Sequence, residues 1–249
     1  MTIRLLTEQY PDRPAFDTAV SHALLRQAGS GDLAETLRIH QPGSIVAFGR
    51  RDVVSPGYHR AVAASRAAGY EAIERMAGGR AAVFHPGTLA FAWTIPTPIP
   101  RETIKPRFEA LASTLLAAFR AMGADARVGE VPGEYCPGEY SINVAGHHKV
   151  MGTGQRIIGR AAHVGGVIVI HGGDRIAEVL IPVYQALNLK WDPTTSGDLA
   201  AAVPGVTGRD VMAAVVAEFD RRFGLEESRV GAATLSLAAE LEATHQSPA

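Results

Sequence analysis

The chain of 249 residues carries 24 lysines and arginines against 25 aspartates and glutamates, and a single cysteine. A formal charge of −1 supplies no global field for nucleic acid or an anionic membrane, and the length suits one large domain or two small ones. One cysteine excludes an internal disulfide, a cysteine-rich zinc site and a cysteine-ligated iron–sulfur cluster.

Neither residues 1–9 nor the greasiest run, 164–170, has the apolar length of a signal peptide or a membrane span. A soluble, cytoplasmic protein is therefore expected. A short strand is predicted at 3–6. A helix follows over 14–28, where Pro14 suits a first turn, Phe16, Val20 and Leu24 share a face, and Gly29 ends it. Strands at 37–40 and 45–48 are joined by a Pro42-Gly43 turn, and a helix at 58–68 stops at Gly69. Strands at 81–84 and 89–95 flank Pro86-Gly87 and read as a hairpin. The helix over 106–122 is the clearest, with Phe108, Leu111, Leu115 and Met122 in one stripe and Gly123 behind it. Residues 140–144 alternate as a half-buried strand. An Ala145-Gly146 turn then leads to a second strand near Lys149, and 157–161 and 167–170 supply more strand. Helices close the chain at 176–187, at 211–223 behind a Thr207/Asp210 capping pattern, and at about 232–243. Residues 243–249 are expected to be a flexible tail. Strands and helices do not alternate regularly, which argues against a doubly wound parallel sheet. The expected fold is α+β, a single domain over 1–242 with a mixed or antiparallel sheet and packed helices.

Several chemistries are dismissed on spacing. There is no phosphate-cradling Gly-x-x-x-x-Gly-Lys-Ser/Thr loop, and Gly152-Thr153-Gly154 lacks the third glycine of a dinucleotide site. The nine histidines are scattered. His147 and His148 are adjacent, so on a strand they face opposite ways, and no metal site is expected. Three places remain. Cys136 lies in Gly133-Glu134-Tyr135-Cys136-Pro137-Gly138-Glu139-Tyr140. A free cysteine is ordinarily a small buried hydrophobe, but the Pro-Gly after it implies a turn at the sheet margin, where a nucleophile is usefully placed. Lys149 precedes two glycines and a Gln155-Arg156 pair. On a solvated strand face it is inert; facing a cleft, it stabilises a carbonyl oxygen or a phosphate and lowers the pKa of a nearby thiol. Arg75-Met76-Ala77-Gly78-Gly79-Arg80 is either a tight turn between strands or a run of backbone N–H groups turned toward an anion or carbonyl.

In this order the segments resemble the superfamily of lipoate-protein ligases and octanoyl/lipoyl transferases, related to biotin protein ligases. The resemblance runs from about Leu24 to Phe223. It is carried by Val46-Ala47-Phe48-Gly49-Arg50, Arg75-Met76-Ala77-Gly78-Gly79, Gly87-Thr88-Leu89 and Gly146-His147-His148-Lys149-Val150-Met151-Gly152-Thr153-Gly154-Gln155-Arg156. It implies a lipoate/biotin-ligase catalytic domain in which Lys149 contacts the acyl carbonyl or acyl-phosphate and the glycine pair lines a tunnel for the lipoyl or octanoyl chain. Gly152, Gly154 and Gln155 belong to the same substrate-binding motif.

The ligase branch carries Arg-Arg-x-Ser-Gly-Gly-Gly-x-Val-x-His; here Glu74, Ala77, Arg80 and Phe84 depart from it. Tyr135-Cys136-Pro137-Gly138 is instead similar to the cysteine-dependent octanoyl/lipoyl amidotransferases. That branch implies a Cys136 thioester, with Lys149 holding the carbonyl oxygen, Arg75 positioning a carrier or anionic group, and Arg80 beside the substrate. No cofactor is then required. The expected partners are lipoyl domains of 2-oxoacid dehydrogenases or the glycine-cleavage H protein, with acyl carrier protein as another donor and a monomer as the active form. The ligase alternative uses ATP and Mg with Cys136 incidental, and a third reading is a non-catalytic acyl-chain or carrier-binding homologue.

Overall fold

A computed structural model describes residues 2–248. In chain order the elements are β1 (Ile3–Leu6), α1 (Pro14–Ser30), β2 (Thr36–His40), β3 (Ile45–Phe48), α2 (Arg50–Val53), α3 (Tyr58–Ala67), β4 (Glu71–Glu74), β5 (Ala82–Phe84) and β6 (Thr88–Pro96). They continue with α4 (Ile104–Ala121), β7 (Ala126–Val128), β8 (Ile142–Val144), β9 (His148–Ile158), β10 (Ala161–Val169), α5 (Gly173–Ala186), α6 (Gly208–Phe223), β11 (Leu225–Glu227) and α7 (Ala232–Leu241). Eight strands form one sheet in the order β11-β1-β2-β6-β10-β9-β8-β7, and three form another in the order β4-β3-β5. Both mix parallel pairs (β1 with β2 and β11, β3 with β4) with antiparallel ones, as the α+β expectation requires.

Period-2 alternation sorts the large sheet's faces. Leu37, Ile39, Leu89, Phe91, Trp93 and Ile168 face the main core, filled from the helix side by Leu111, Leu115 and Phe119 of α4 and Val211, Val215 and Phe219 of α6. Intervening positions on the same strands are small or polar: Arg38, His40, Ala90, Ala92, His163 and Gly165. On that side Arg38 is buried against α1, where its guanidinium meets the Asp17 carboxylate, which also receives His40 at 2.8 Å. The small sheet packs Val46, Phe48 and Val83 against Tyr58 and Val62 of α3 and Val179, Leu180 and Val183 of α5. Between the two sheets lies a cavity of about 100 Å³, lined by Ala47, Ala77, Ala90, Ala92 and Gly165 among others.

Several expectations are corrected. The strands at each Pro-Gly turn exist, but they do not pair with each other. β2 pairs with β6 while β3 pairs with β4 and β5, and β5 pairs with β3 while β6 pairs with β2 and β10. Pro42-Gly43 and Pro86-Gly87 therefore hand the chain from one sheet to the other. The α1 helix runs past Gly29 to Ser30 and is capped by Gly31 at φ +91°. Residues 157–161 are the end of β9, a two-residue turn at Gly159-Arg160 and the start of β10, not one strand. β4, β7 and β11 are three or four residues long and charged, and carry no periodicity to read. The expected loose tail is docked: the His245 ring meets the Glu74 carbonyl at 2.7 Å, and Ser247 hydrogen-bonds the Tyr58 hydroxyl at 2.8 Å. No helix among the described residues is long and apolar enough to cross a membrane.

Candidate active site

The loop between β7 and β8 contains neither helix nor strand, and it winds around one buried carboxylate. Glu134 accepts hydrogen bonds from the Val131 N–H (3.0 Å), the Gly138 N–H (3.2 Å), the Ser141 hydroxyl (2.6 Å) and Lys149 Nζ (2.8 Å). Lys149 reaches it from β9, directly after the Ala145-Gly146 turn, where both residues have positive φ. Its ammonium is 1% exposed, and it donates also to the carbonyls of Tyr135 and Cys136, each at 2.9 Å. Three donors therefore meet three acceptors, all on the cysteine loop.

Cys136 sits in the left-handed region at φ +42°, a conformation that costs a residue with a side chain about 1–2 kcal/mol. Two contacts hold it there. Lys149 grips its carbonyl, and its N–H donates to the Tyr184 hydroxyl at 2.8 Å. The Tyr184 hydroxyl in turn donates to the Ala81 carbonyl at 3.0 Å, tying the cysteine loop to the segment that follows Gly78-Gly79.

That segment meets the thiol from the other side. The Arg80 N–H donates to Cys136 Sγ at 3.2 Å, and Arg75 Nη2 lies 3.4 Å from the same sulfur while donating to the Arg80 carbonyl at 2.7 Å. Gly79, at φ +107°, has to be glycine: a Cβ there would stand 2.8 Å from Sγ and overlap the Arg75 guanidinium. Burial pushes the thiol pKa up, but Arg75, Lys149 and the Arg80 N–H outweigh it and hold the pKa below the ordinary thiol value.

The remaining predicted residues fall around this centre. A groove of about 590 Å³ is lined by Gly78, Gly79, Cys136, Gly154 and Gln155 with Phe108 opposite. Gly154 admits the Gly78 carbonyl, which would lie 3.0 Å from a Cβ, and Gly152 leaves space for Lys149. Gln155 accepts from Arg107 Nε at 2.8 Å and donates to the Ile104 carbonyl at 3.3 Å, fastening the start of α4 to β9. Arg80 brings its backbone to the sulfur, while its side chain pairs with Asp52 at 3.2 Å. Arg75 lines the inter-sheet cavity as well as touching Sγ, and so links that cavity to the groove that the thiol itself lines. Glu134 and Tyr184 were not singled out from sequence. Tyr184 lies 48 residues from Cys136 on an amphipathic helix, where it reads as core. Glu134 is recognisable only by being a carboxylate among turn residues.

The chain matches the family described as the lipoyl protein ligase A/B catalytic domain over residues 13–219. It is 27% identical over 185 residues to the octanoyl-[GcvH]:protein N-octanoyltransferase of Geobacillus kaustophilus, an alignment covering 73% of this chain and 65% of that protein. With the enzyme of the same name from Anoxybacillus flavithermus it shares 30% identity over 163 residues, covering 64% of this chain and 58% of the relative. The chain thus spans about three-fifths of the length of these relatives. Among solved structures it is similar to lipoate-protein ligase A bound with ATP, with 21% identity and a TM-score of 0.80, covering 98% of this chain and 95% of that one. The bi-partite lipoate protein ligase of Thermoplasma acidophilum is similar at 18% identity and a TM-score of 0.75, covering 98% and 92%. The fold is therefore that of the ligases, and the family match over most of the chain settles the membership: this protein belongs to the lipoyl protein ligase A/B catalytic-domain family.

Proposed function

We propose that the protein moves an octanoyl or lipoyl group from one carrier protein to a lysine of another through a thioester on Cys136. The observation that carries this reading is the sulfur itself, with the Arg80 N–H and Arg75 against it and its pKa drawn down. The relatives' name supplies the donor, an octanoylated GcvH. Acyl carrier protein is a second donor, from which the acyl group leaves a thiol rather than an amine and transfer runs downhill. Acceptors are the lipoyl domains of 2-oxoacid dehydrogenases.

In the first step the Cys136 thiolate attacks the acyl carbonyl. The C–S bond forms, the carbonyl–nitrogen bond of the donor lysine breaks, and the leaving amine takes up a proton. In the second, the neutral ε-amine of the acceptor lysine attacks the thioester. The new amide forms, the C–S bond breaks, the amine gives up a proton and the thiolate returns. An amide is exchanged for an amide, so no ATP is consumed. Arg75 is the cation at the sulfur and the nearest charged donor to developing negative charge. Lys149 favours the thiolate through its charge and fixes the loop that carries it. A reducing compartment keeps a free thiol available, and this reading places the reaction, by a monomer, in the cytoplasm.

The test is intact-mass analysis after incubation with octanoyl-GcvH, followed by transfer to an apo lipoyl domain. Wild type gains one octanoyl group and passes it on without ATP. Cys136→Ser gains none and transfers at least about a thousandfold more slowly. Transfer from free octanoate and ATP that survives Cys136→Ser would favour the adenylating reading instead.

A further inference from the structure

Six arginines on this chain are ion-paired, Arg13 with Glu242, Arg38 with Asp17, Arg80 with Asp52, Arg127 with Asp125, and Arg221 and Arg222 with Glu218, while others, Arg60 and Arg209 among them, are exposed and, among the described residues, unpaired away from Cys136. Arg50, Arg101 and Arg156 are exposed, and among the described residues none of their side chains has an ion-pair or hydrogen-bond partner. All three border the proposed reaction centre. Arg101 and Arg156 line the groove that holds Cys136. Arg156 also lines a neighbouring hollow of about 360 Å³, together with Arg50 and with Arg75, whose guanidinium reaches Sγ. Glu74 is the one carboxylate lining either hollow, and it is engaged by the Tyr58 hydroxyl at 3.0 Å. In a protein of net charge −1, this is a local basic strip rather than a general field.

Unpaired surface guanidinia add nothing to stability, but their planar forks match carboxylates. Transfer through one thiol also demands that two different carriers dock in turn on the same surface. That surface has to recognise what the carriers share. We propose that Arg50, Arg101 and Arg156 form the docking surface for an acidic carrier domain, one whose acylated or acceptor lysine is flanked by carboxylates. The proposal rests on the transfer reading and adds to it the recognition of both carriers. Steering of this kind acts on encounter and on the Michaelis constant and weakens as salt screens it.

The experiment compares wild type, Arg50→Glu/Arg156→Glu, Arg101→Glu and the exposed control Arg60→Glu on α3, outside both hollows. Each is assayed with octanoyl-GcvH and an apo lipoyl domain at about 20 mM and about 200 mM salt. Cys136 loading by a small neutral octanoyl thioester is followed by mass in parallel. The charge reversals are expected to raise KM for both carriers about tenfold or more at low salt and to flatten the salt dependence, while the small thioester still loads Cys136 and Arg60→Glu behaves as wild type. Carrier kinetics and salt dependence unchanged in the reversals overturn the proposal. So does a reversal variant that is folded by circular dichroism yet no longer loaded by the small thioester, because the arginines then act on the reaction centre. Saturable competition by ATP against the carrier at fixed ionic strength assigns the strip to a nucleotide and also overturns it. Failure of wild type to load from any donor defeats the transfer reading itself, and the docking proposal with it.

Discussion

A thiol of ordinary pKa is only a few per cent ionised at neutral pH, so the charge around Cys136 decides how much nucleophile exists. Burial opposes the thiolate; Arg75, Lys149 and the Arg80 N–H favour it and prevail. Because the pKa lies below its ordinary value, the decline of loading on acidification sets in at a lower pH than for an ordinary thiol. Arg75→Gln removes the cation 3.4 Å from the sulfur. The acidic limb of the loading rate should move to higher pH, with the alkaline plateau below that of wild type because the donor to developing charge is also lost. Stopped-flow loading from a small thioester across a pH series checks this. Cys136, Lys149 and the glycine pair were legible in the sequence because turn chemistry and motif spacing mark them. Glu134 and Tyr184 were not, because their contribution arises when a 13-residue loop folds back on β9 and a tyrosine reaches across from α5.

At the level of elements, the β7–β8 loop and β9 are joined through the Glu134–Lys149 pair, both side chains at most 1% exposed. Removing one member of such a pair strands a charge in a dry site. Glu134→Leu or Lys149→Met alone is expected to cost about 3–5 kcal/mol in urea unfolding. The double substitution recovers only the part due to the stranded charge, because the Val131 and Gly138 N–H groups and the Tyr135 and Cys136 carbonyls still lose their partners. The double variant should remain inactive, since the Cys136 loop has lost the ammonium that grips its carbonyls. The elements show where local signals stop. Pro-Gly pairs at 42–43 and 86–87 correctly ended strands, because proline and glycine fix backbone angles locally. Partner choice was not visible in them: it is set by which face each strand buries, and here the faces belong to different sheets. The helices α4, α5 and α6 were legible to within a few residues because each buries a continuous stripe of its own.

Over the whole molecule, several histidines are folded in uncharged. Burial lowers His22, His85 and His163 from 6.5 to about 4, helped at His22 by the adjoining His245. The unfolded chain then binds more protons than the native one between those values, so this contribution to stability is complete above about pH 6.5 and is lost as the pH falls toward 4. Asp17, held near 2 with His40 and Arg38 overcoming the effect of burial, loses its contribution only below the ordinary carboxylate range. A calorimetric series is therefore expected to show Tm falling steadily from pH 6.5 to 4, with proton uptake on unfolding at pH 5. The inter-sheet cavity, which His163 helps to line, carries a different consequence. Ala47, Ala77, Ala90, Ala92, Gly165 and Gly166 contribute to its wall, and none of them has a rotamer to change. That part of the wall is set by backbone, while Arg75, Met76, Phe84 and Phe91 close the rest with side chains. A cavity walled this way is rigid along its alanine and glycine side and adaptable along the other.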